Sequence, residues 1–161
     1  MRRKDREIIK TDKLLEIITK CKVCRLGLSD NNLPYIVPLN FGWSYDNNRL
    51  TLYFHSAHEG KKIDIIKKNN RACFEIDTDH LLYIEGEEAC KHGYLYTSII
   101  GYGYIEFISE PEEKIYGLNM VMKHQTDKDT EYQYNDVMLS RVCIYKMIVD
   151  EFSGKARQLP K

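Results

Sequence analysis

Between residues 11 and 20 the apolar positions Leu14, Leu15, Ile17 and Ile18 recur at helical spacing on one face, and Thr11 or Asp12 can accept the first free amide protons. This pattern predicts an opening helix that ends near Lys20. From Val23 the period shortens, and runs rich in Val, Ile, Leu and Tyr are separated by turn clusters at residues 29–32 and 46–48. Strands over 23–28, 35–43 and 49–55 then form two successive hairpins. Residues 60–68 read as a short helix with Ile63 and Ile66 facing inward, and 71–77 return to strand. A long strand over 94–109 contains Gly101 and Gly103, the mark of a bulge or of another group close to the backbone. Pro111 can open a helix at its first turn, with Ile115, Leu118, Val121 and Met122 on one side, and 142–149 make a final strand before a polar tail. Residues 78–93, with mixed charges and His80 and His92, read as a loop or an insertion.

About six strands with a few short helices predict a mainly β chain of the α+β class, an antiparallel barrel with helices at its ends. The length of 161 residues fits a single domain over 1–161. Twenty-four basic and 24 acidic residues cancel, so no global field would hold the protein on nucleic acid or an anionic membrane. Any anionic ligand must be held by a local basic cluster. The chain lacks an apolar run of about 20 residues and its start, MRRKDREIIK, lacks a signal-peptide apolar stretch, which predicts a cytoplasmic protein. The five cysteines (Cys21, Cys24, Cys73, Cys90 and Cys143) are odd in number and scattered, and read as reduced thiols.

The most informative chemistry lies in residues 52–63, where a strand ends near His55, Ser56 offers a hydroxyl, and Gly60 allows a tight entry into a helix. Lys61 and Lys62 stand at that helix start, so a phosphate would meet unpaired amides and two charged donors; the competing reading is a solvated helix start with surface lysines. The segment is not a P-loop, because His55 stands where the first glycine belongs and Lys62 where Ser or Thr would hold magnesium. His55 and His58 are candidate acid-base groups, although a histidine at a strand end is more often a polar packing residue.

Upstream, Pro34 and Pro38 cannot donate to a ladder, so their strand lies at an edge or turns its backbone toward a ligand. Its free amides and carbonyls could read the polar edge of a flat heterocycle; the alternative is an edge strand protected against aggregation. Asn40, between Leu39 and Phe41, needs a polar partner if it is buried. Cys21-x-x-Cys24 has the spacing of half a zinc site that Cys90-x-His92 might complete, yet thiols in packing or surface roles are the commoner explanation, and no metal is expected. Neither a G-x-S-x-G elbow nor a His-Glu-x-x-His motif is present.

Taken together, the opening Met1 to Ile8, Pro34-Tyr35-x-Val37-Pro38-Leu39-Asn40-Phe41-Gly42, Tyr53-Phe54-His55-Ser56-Ala57 with Glu59-Gly60-Lys61-Lys62, Tyr96-x-Ser98-x-x-Gly101-x-Gly103 and Gly154-Lys155 resemble the pyridoxamine 5′-phosphate oxidase-related flavoproteins of the 5-nitroimidazole resistance type. The resemblance runs over nearly the whole chain and implies a split β-barrel that dimerises, with one FMN in each of two clefts between subunits. It places Lys61 and Lys62 on the FMN phosphate, where related oxidases carry Arg-Lys, and Lys keeps the charge but loses the bidentate fork. It places Pro38, Leu39, Asn40 and Phe41 along the isoalloxazine, and His55 and Ser56 near the ribityl and phosphate end. Tyr96 and Ser98 belong to a strand approaching from the barrel, of the same or the second subunit. The substrate-phosphate arginines of the oxidase are not recognisable near the C-terminus, which argues against pyridoxamine phosphate as substrate. The implied activity is electron transfer from a reduced nicotinamide, NADH or NADPH, to a small acceptor such as a nitro-aromatic, with His55 assisting proton delivery. Two rivals are a haem protein, with His55 or His124 on the iron, and a flavin-binding module without turnover.

Overall fold

A short strand, β1 (Glu7–Ile8), and a helix, α1 (Thr11–Lys20), lead into two hairpins: β2 (Val23–Asp30) with β3 (Leu33–Asn40), and β4 (Gly42–Asp46) with β5 (Arg49–Ser56). The helix α2 (Lys61–Lys68), the long hairpin β6 (Arg71–Tyr83) and β7 (Gly93–Phe107), α3 (Pro111–Thr126), a short α4 (Asp136–Ser140) and β8 (Cys143–Arg157) complete the chain. These elements are those of a computed structural model that describes residues 3–158.

Every strand pairing is antiparallel, and the sheet runs β3-β2-β6-β7-β8-β5-β4, with β1 added to β8. The two ends of that path, β3 and β4, are consecutive in the chain and separated only by Phe41. The sheet therefore curls until its edges meet at this residue, which is the antiparallel barrel the patterning predicts. Both hairpin turns are two-residue loops in the left-handed region, Asn31 and Asn32 (φ 50° and 69°) and Asn47 and Asn48 (φ 51° and 61°). Asn tolerates that region, and such turns match the twist of the flanking strands.

Several boundaries differ from the sequence reading. Thr11 is itself the first helical residue of α1 and makes no capping bond, nor does Asp12; Lys10 occupies the cap position. The strand expected over 35–43 divides at Phe41, whose ring is buried while its neighbours Asn40 and Gly42 pair with different strands. Strand β6 continues past Asp77 to Tyr83 through an irregularity between Thr78 and Leu81, where Asp79 is left-handed (φ 58°), so only residues 84–92 are free of strand. The final strand extends to Arg157, because the polar residues after Val149 still pair with β7 and β1. The sheet has eight strands, not six.

The barrel interior is filled by Cys24, Leu26, Phe41, Leu52, Phe54, Phe74, Ile76, Ile99, Tyr145 and Met147, closed at one end by Leu14, Ile17 and Ile18 of α1 and lined further by Ile63, Ile65 and Ile66 of α2. A second cluster of Tyr53, Ile108, Val121 and Ile144 lies under α3 on the outer face of the sheet. The buried face of α3 is Gly117, Val121 and His124; Ile115, Leu118 and Met122 are only half-buried. That shift follows from close packing, since a Cβ on Gly42 would collide with the backbone of Met120 and Val121. The expected bulge in β7 falls between Tyr102 and Gly103, where a Cβ on Gly103 would strike the carbonyl of Ile148. Among the described residues no helix is long and apolar enough to cross a membrane.

Candidate functional site

Strand β3 ends the sheet path and pairs with β2 alone, so its outer edge has no strand neighbour. The edge position expected from Pro34 and Pro38 is therefore observed. Tyr35, Val37 and Leu39 pack against the core, while Pro34, Ile36, Pro38 and Asn40 are exposed. Asn40 donates through Nδ2 to Gln125 Oε1 (3.0 Å), and Gln125 Nε2 in turn donates to the carbonyls of Lys22 (3.1 Å) and Phe41 (3.0 Å). Its Oδ1 remains available as an acceptor. Phe41 is fully buried and packs edge-on against His124 with ring centroids 4.5 Å apart, so this side chain belongs to the core.

On the adjoining side, β5 carries the chain to an exposed His55 and a half-buried Ser56, whose Oγ donates to the carbonyl of Ala57 (2.8 Å). Gly60 then has φ 127°, a conformation that side chains avoid, and a Cβ there would meet nothing within 4 Å. Torsion, not crowding, selects glycine here. No side chain caps α2, and the Gly60 carbonyl accepts from the amides of Ile63 (2.9 Å) and Asp64 (3.2 Å). Among the described residues the amides of Lys61 and Lys62 are left as the unpaired donors of the first turn, where the helix dipole favours an anion. Lys61 Nζ lies 3.6 Å from Asp30 and 5.1 Å from the centre of the Tyr35 ring, which ties the helix start to the beginning of β3. From Tyr35 to Asn40 the strand advances about 16 Å. The basic helix start and the amide of Asn40 thus stand at opposite ends of one free edge.

Tyr96 and Ser98 sit on the outer face of β7, between the buried Leu95, Thr97 and Ile99. In the sheet order β7 is three strands from β3, so a single chain does not bring these two residues to the edge described above. Ser98 stands opposite Asp77 and Lys155, and Lys155 Nζ lies 5.8 Å from the centre of the Tyr96 ring. Burial pushes the Tyr96 phenol up, but hydrogen bonds from Lys155 and Arg6 outweigh it and hold the group below the ordinary tyrosine range.

The remaining candidates take other places. Cys21 and Cys24 are buried, and desolvation pushes Cys21 up to about 11 and Cys24 further still, which leaves both as protonated core thiols. Cys90 lies exposed in a turn between β6 and β7, and among the described residues no three His, Cys, Asp or Glu side chains are grouped to hold a metal ion. His58 Nε2 meets the carbonyl of Ser140 at 2.9 Å, a packing contact. Sequence reasoning missed Gln125, Asp30 and Tyr35. No motif marks Gln125 or Asp30, and the motif that holds Tyr35 gives it no role, because each acts through contacts made only once the hairpins and α3 are in place.

A family profile described as pyridoxamine 5′-phosphate oxidase matches residues 10–156. A solved structure from Bacteroides thetaiotaomicron, provisionally assigned as a 5-nitroimidazole antibiotic resistance protein, is 32% identical, with 93% of this chain and 86% of that one covered and a TM-score of 0.80. The flavocytochrome Anf3 from Azotobacter vinelandii (16% identity, 99% and 73% covered, TM-score 0.78) shares the fold. So does an FAD and haem binding protein from Mycobacterium smegmatis (14% identity, 97% and 76% covered, TM-score 0.81). Comparison with curated proteins gives no match. The profile spans nearly the whole chain and agrees with both the antiparallel split barrel and the relative at 32% identity: the chain belongs to the pyridoxamine 5′-phosphate oxidase family.

Proposed function

We propose that the protein is a cytoplasmic, FMN-dependent oxidoreductase that passes electrons from a reduced nicotinamide to a small acceptor such as a nitro-aromatic. The observation that carries this reading is the uncapped start of α2, where Lys61 and Lys62 offer two free amides and two ammonium groups beside the free edge of β3. That donor set suits a phosphate monoester, and the edge leading from it to Asn40 suits a flat polar ring. A bound flavin would supply the electron transfer itself. The chain supplies the rest: Lys61, Lys62 and Ser56 hold the phosphate end, and the backbone of Pro38, Leu39 and Phe41 orients the ring. Asn40 Oδ1 would be free to accept from a ring N–H, and the exposed imidazole of His55 would be the group to assist proton delivery.

Tyr96 and Ser98 reach this site from a second copy, laid against the outer face of the sheet where Ile36, Ile100 and Tyr102 are exposed. A haem reading would need an imidazole offered to the iron. His124 is only 6% exposed and its Nε2 faces the Thr19 carbonyl at 3.3 Å. The test is the absorption spectrum of the purified protein, flavin bands against a Soret band, followed by reduction with NADH and with NADPH. Replacing Lys61 and Lys62 together by Ala should weaken FMN binding by about 2–4 kcal/mol while the fold persists. Fluorescence titration with wild-type affinity in that double variant rejects the assignment.

A further inference from the structure

The opening segment and the last strand, which the β3 edge leaves unused, meet on the outer face of the sheet. Strand β1 pairs with β8 through Glu7 and Lys155, while Tyr96 and Ser98 of β7 stand directly opposite Arg157 and Lys155. Direct antiparallel partners share a face, so both cations lie beside the outward Tyr96 and Ser98. Lys155 Nζ is 5.8 Å from the centre of the Tyr96 ring, and the Tyr96 hydroxyl takes hydrogen bonds from Lys155 and Arg6. The Arg157 guanidinium lies against Gly93, where a Cβ would collide with it. Next to these groups a cavity of about 400 Å³ opens between Arg3, Arg6, Glu7 and Arg157. We propose that this cluster binds the 2′-phosphate of a phosphorylated nicotinamide dinucleotide, which makes NADPH the preferred electron donor. The identity of the donor rests on the flavin oxidoreductase reading; the phosphate site rests on the cluster.

Charge is the first argument. Four cations, Arg3, Arg6, Lys155 and Arg157, face two carboxylates, Asp5 and Glu7, which leaves a surplus of two in a chain that is neutral as a whole. Arg3 grips Asp5 through Nε and Nη2 (2.8 and 2.7 Å), and Arg6 lies 3.9 Å from the same carboxylate. Among the described residues no carboxylate is ion-paired with Lys155 or Arg157. A phosphate monoester is close to a dianion near pH 7, and guanidinium forks match its oxygens two at a time. The donors themselves are the second argument. An unphosphorylated ribose is recognised by a carboxylate that accepts from its hydroxyls, and a 2′-phosphate by arginine. Here Asp5 is already committed to Arg3, and three arginines line the space. Position is the third. In the proposed pair of copies Tyr96 and Ser98 come to the flavin from the second chain, and the cluster beside them comes with them. The cavity has room for a phosphorylated ribose and leaves the rest of the dinucleotide outside, free to extend toward the ring.

The probes are adenosine 2′,5′-bisphosphate and 5′-AMP, titrated calorimetrically into the purified protein with whatever flavin it carries. The bisphosphate should bind at least about tenfold more tightly, and Arg6→Gln and Arg157→Gln should each reduce that ratio at least about threefold, with flavin content and melting temperature near wild type. In rapid mixing without oxygen, NADPH should half-saturate flavin reduction at a concentration about tenfold below that of NADH, and the same variants should narrow the gap. Equal affinity for the two nucleotides, or a wild-type ratio in both variants, overturns the inference. So does loss of FMN from the variants with the ratio intact, which would assign the cluster to the flavin phosphate. A flavin that both donors reduce equally, in protein without nucleotide discrimination, removes this inference alone. Discrimination that the variants erase in protein devoid of flavin supports the phosphate site while refuting the flavin assignment, so the two readings fail separately.

Discussion

His124 illustrates how one side chain can be polar by type and structural by position. Neutral and buried, it packs on Phe41, contacts the Thr19 carbonyl, and sits where Lys22 donates to its own backbone carbonyl. Its folded-state pKa lies below the unfolded value of 6.5. As pH falls through about 6.5, the unfolded chain therefore takes up a proton that the folded chain resists, and stability declines; above that range the residue adds no pH dependence. His124→Gln should flatten that part of the curve of unfolding free energy between about pH 5 and 7, as measured by urea unfolding. An unchanged slope would mean that other groups cause it. Among the candidate residues, the place of Lys61 and Lys62 at the start of α2 was legible because a strand end followed by Gly-Lys-Lys is a local pattern. The companion contacts of Lys61 to Asp30 and Tyr35 were not, since they depend on the β2–β3 register bringing distant residues beneath the helix.

At the scale of elements, periodicity located both early hairpins, α1, α2, α3 and the long β7, but not where one strand hands over to the next. Residues 35–43 alternate well enough to read as one strand. They divide because the Phe41 ring turns into the core and Gly42 must lie against the α3 backbone, a tertiary constraint with no local signature. The joint is fixed from outside by Gln125, which accepts from Asn40 and donates to the carbonyls of Lys22 and Phe41. Gln125→Ala should therefore cost about 1–3 kcal/mol, from partly buried acceptors left unpaired. It should also loosen Asn40 and so weaken flavin binding at the other end of the same amide pair. A thermal melt and an FMN titration of this variant check the two effects together; a variant of wild-type stability would show that water replaces the glutamine without loss. The extension of β6 through 78–83 was hidden for a different reason. Asp79 and His80 break the alternation at the irregularity, and pairing with β7 overrides that weak local preference.

For the whole molecule, the outer sheet face is the feature that one chain leaves unexplained. Ile36 (66% exposed), Ile100 (46%) and Tyr102 (49%) are apolar or aromatic residues on paired strands, and a groove of about 380 Å³ lined by Gly27, Pro34, Ile36, Cys73 and Tyr102 runs among them. Tyr96 and Ser98 continue the same face, three strands from the edge they would have to serve. The proposed two-fold related copy would resolve both facts, because it would cover the apolar residues and carry its own β7 toward the β3 edge of its partner. Cofactor and assembly are then thermodynamically linked. Saturating FMN should raise the melting temperature, by an amount that grows with the logarithm of free flavin, and light scattering should give twice the 19.0 kDa chain mass. Tyr102→Asp places a charge in the middle of the face without touching the barrel interior, so it should yield a folded monomer that has lost most of its FMN affinity although Lys61 and Lys62 are intact. A monomer that binds FMN as tightly as the wild type would show instead that one chain builds the complete site, with Tyr96 and Ser98 serving the sheet alone.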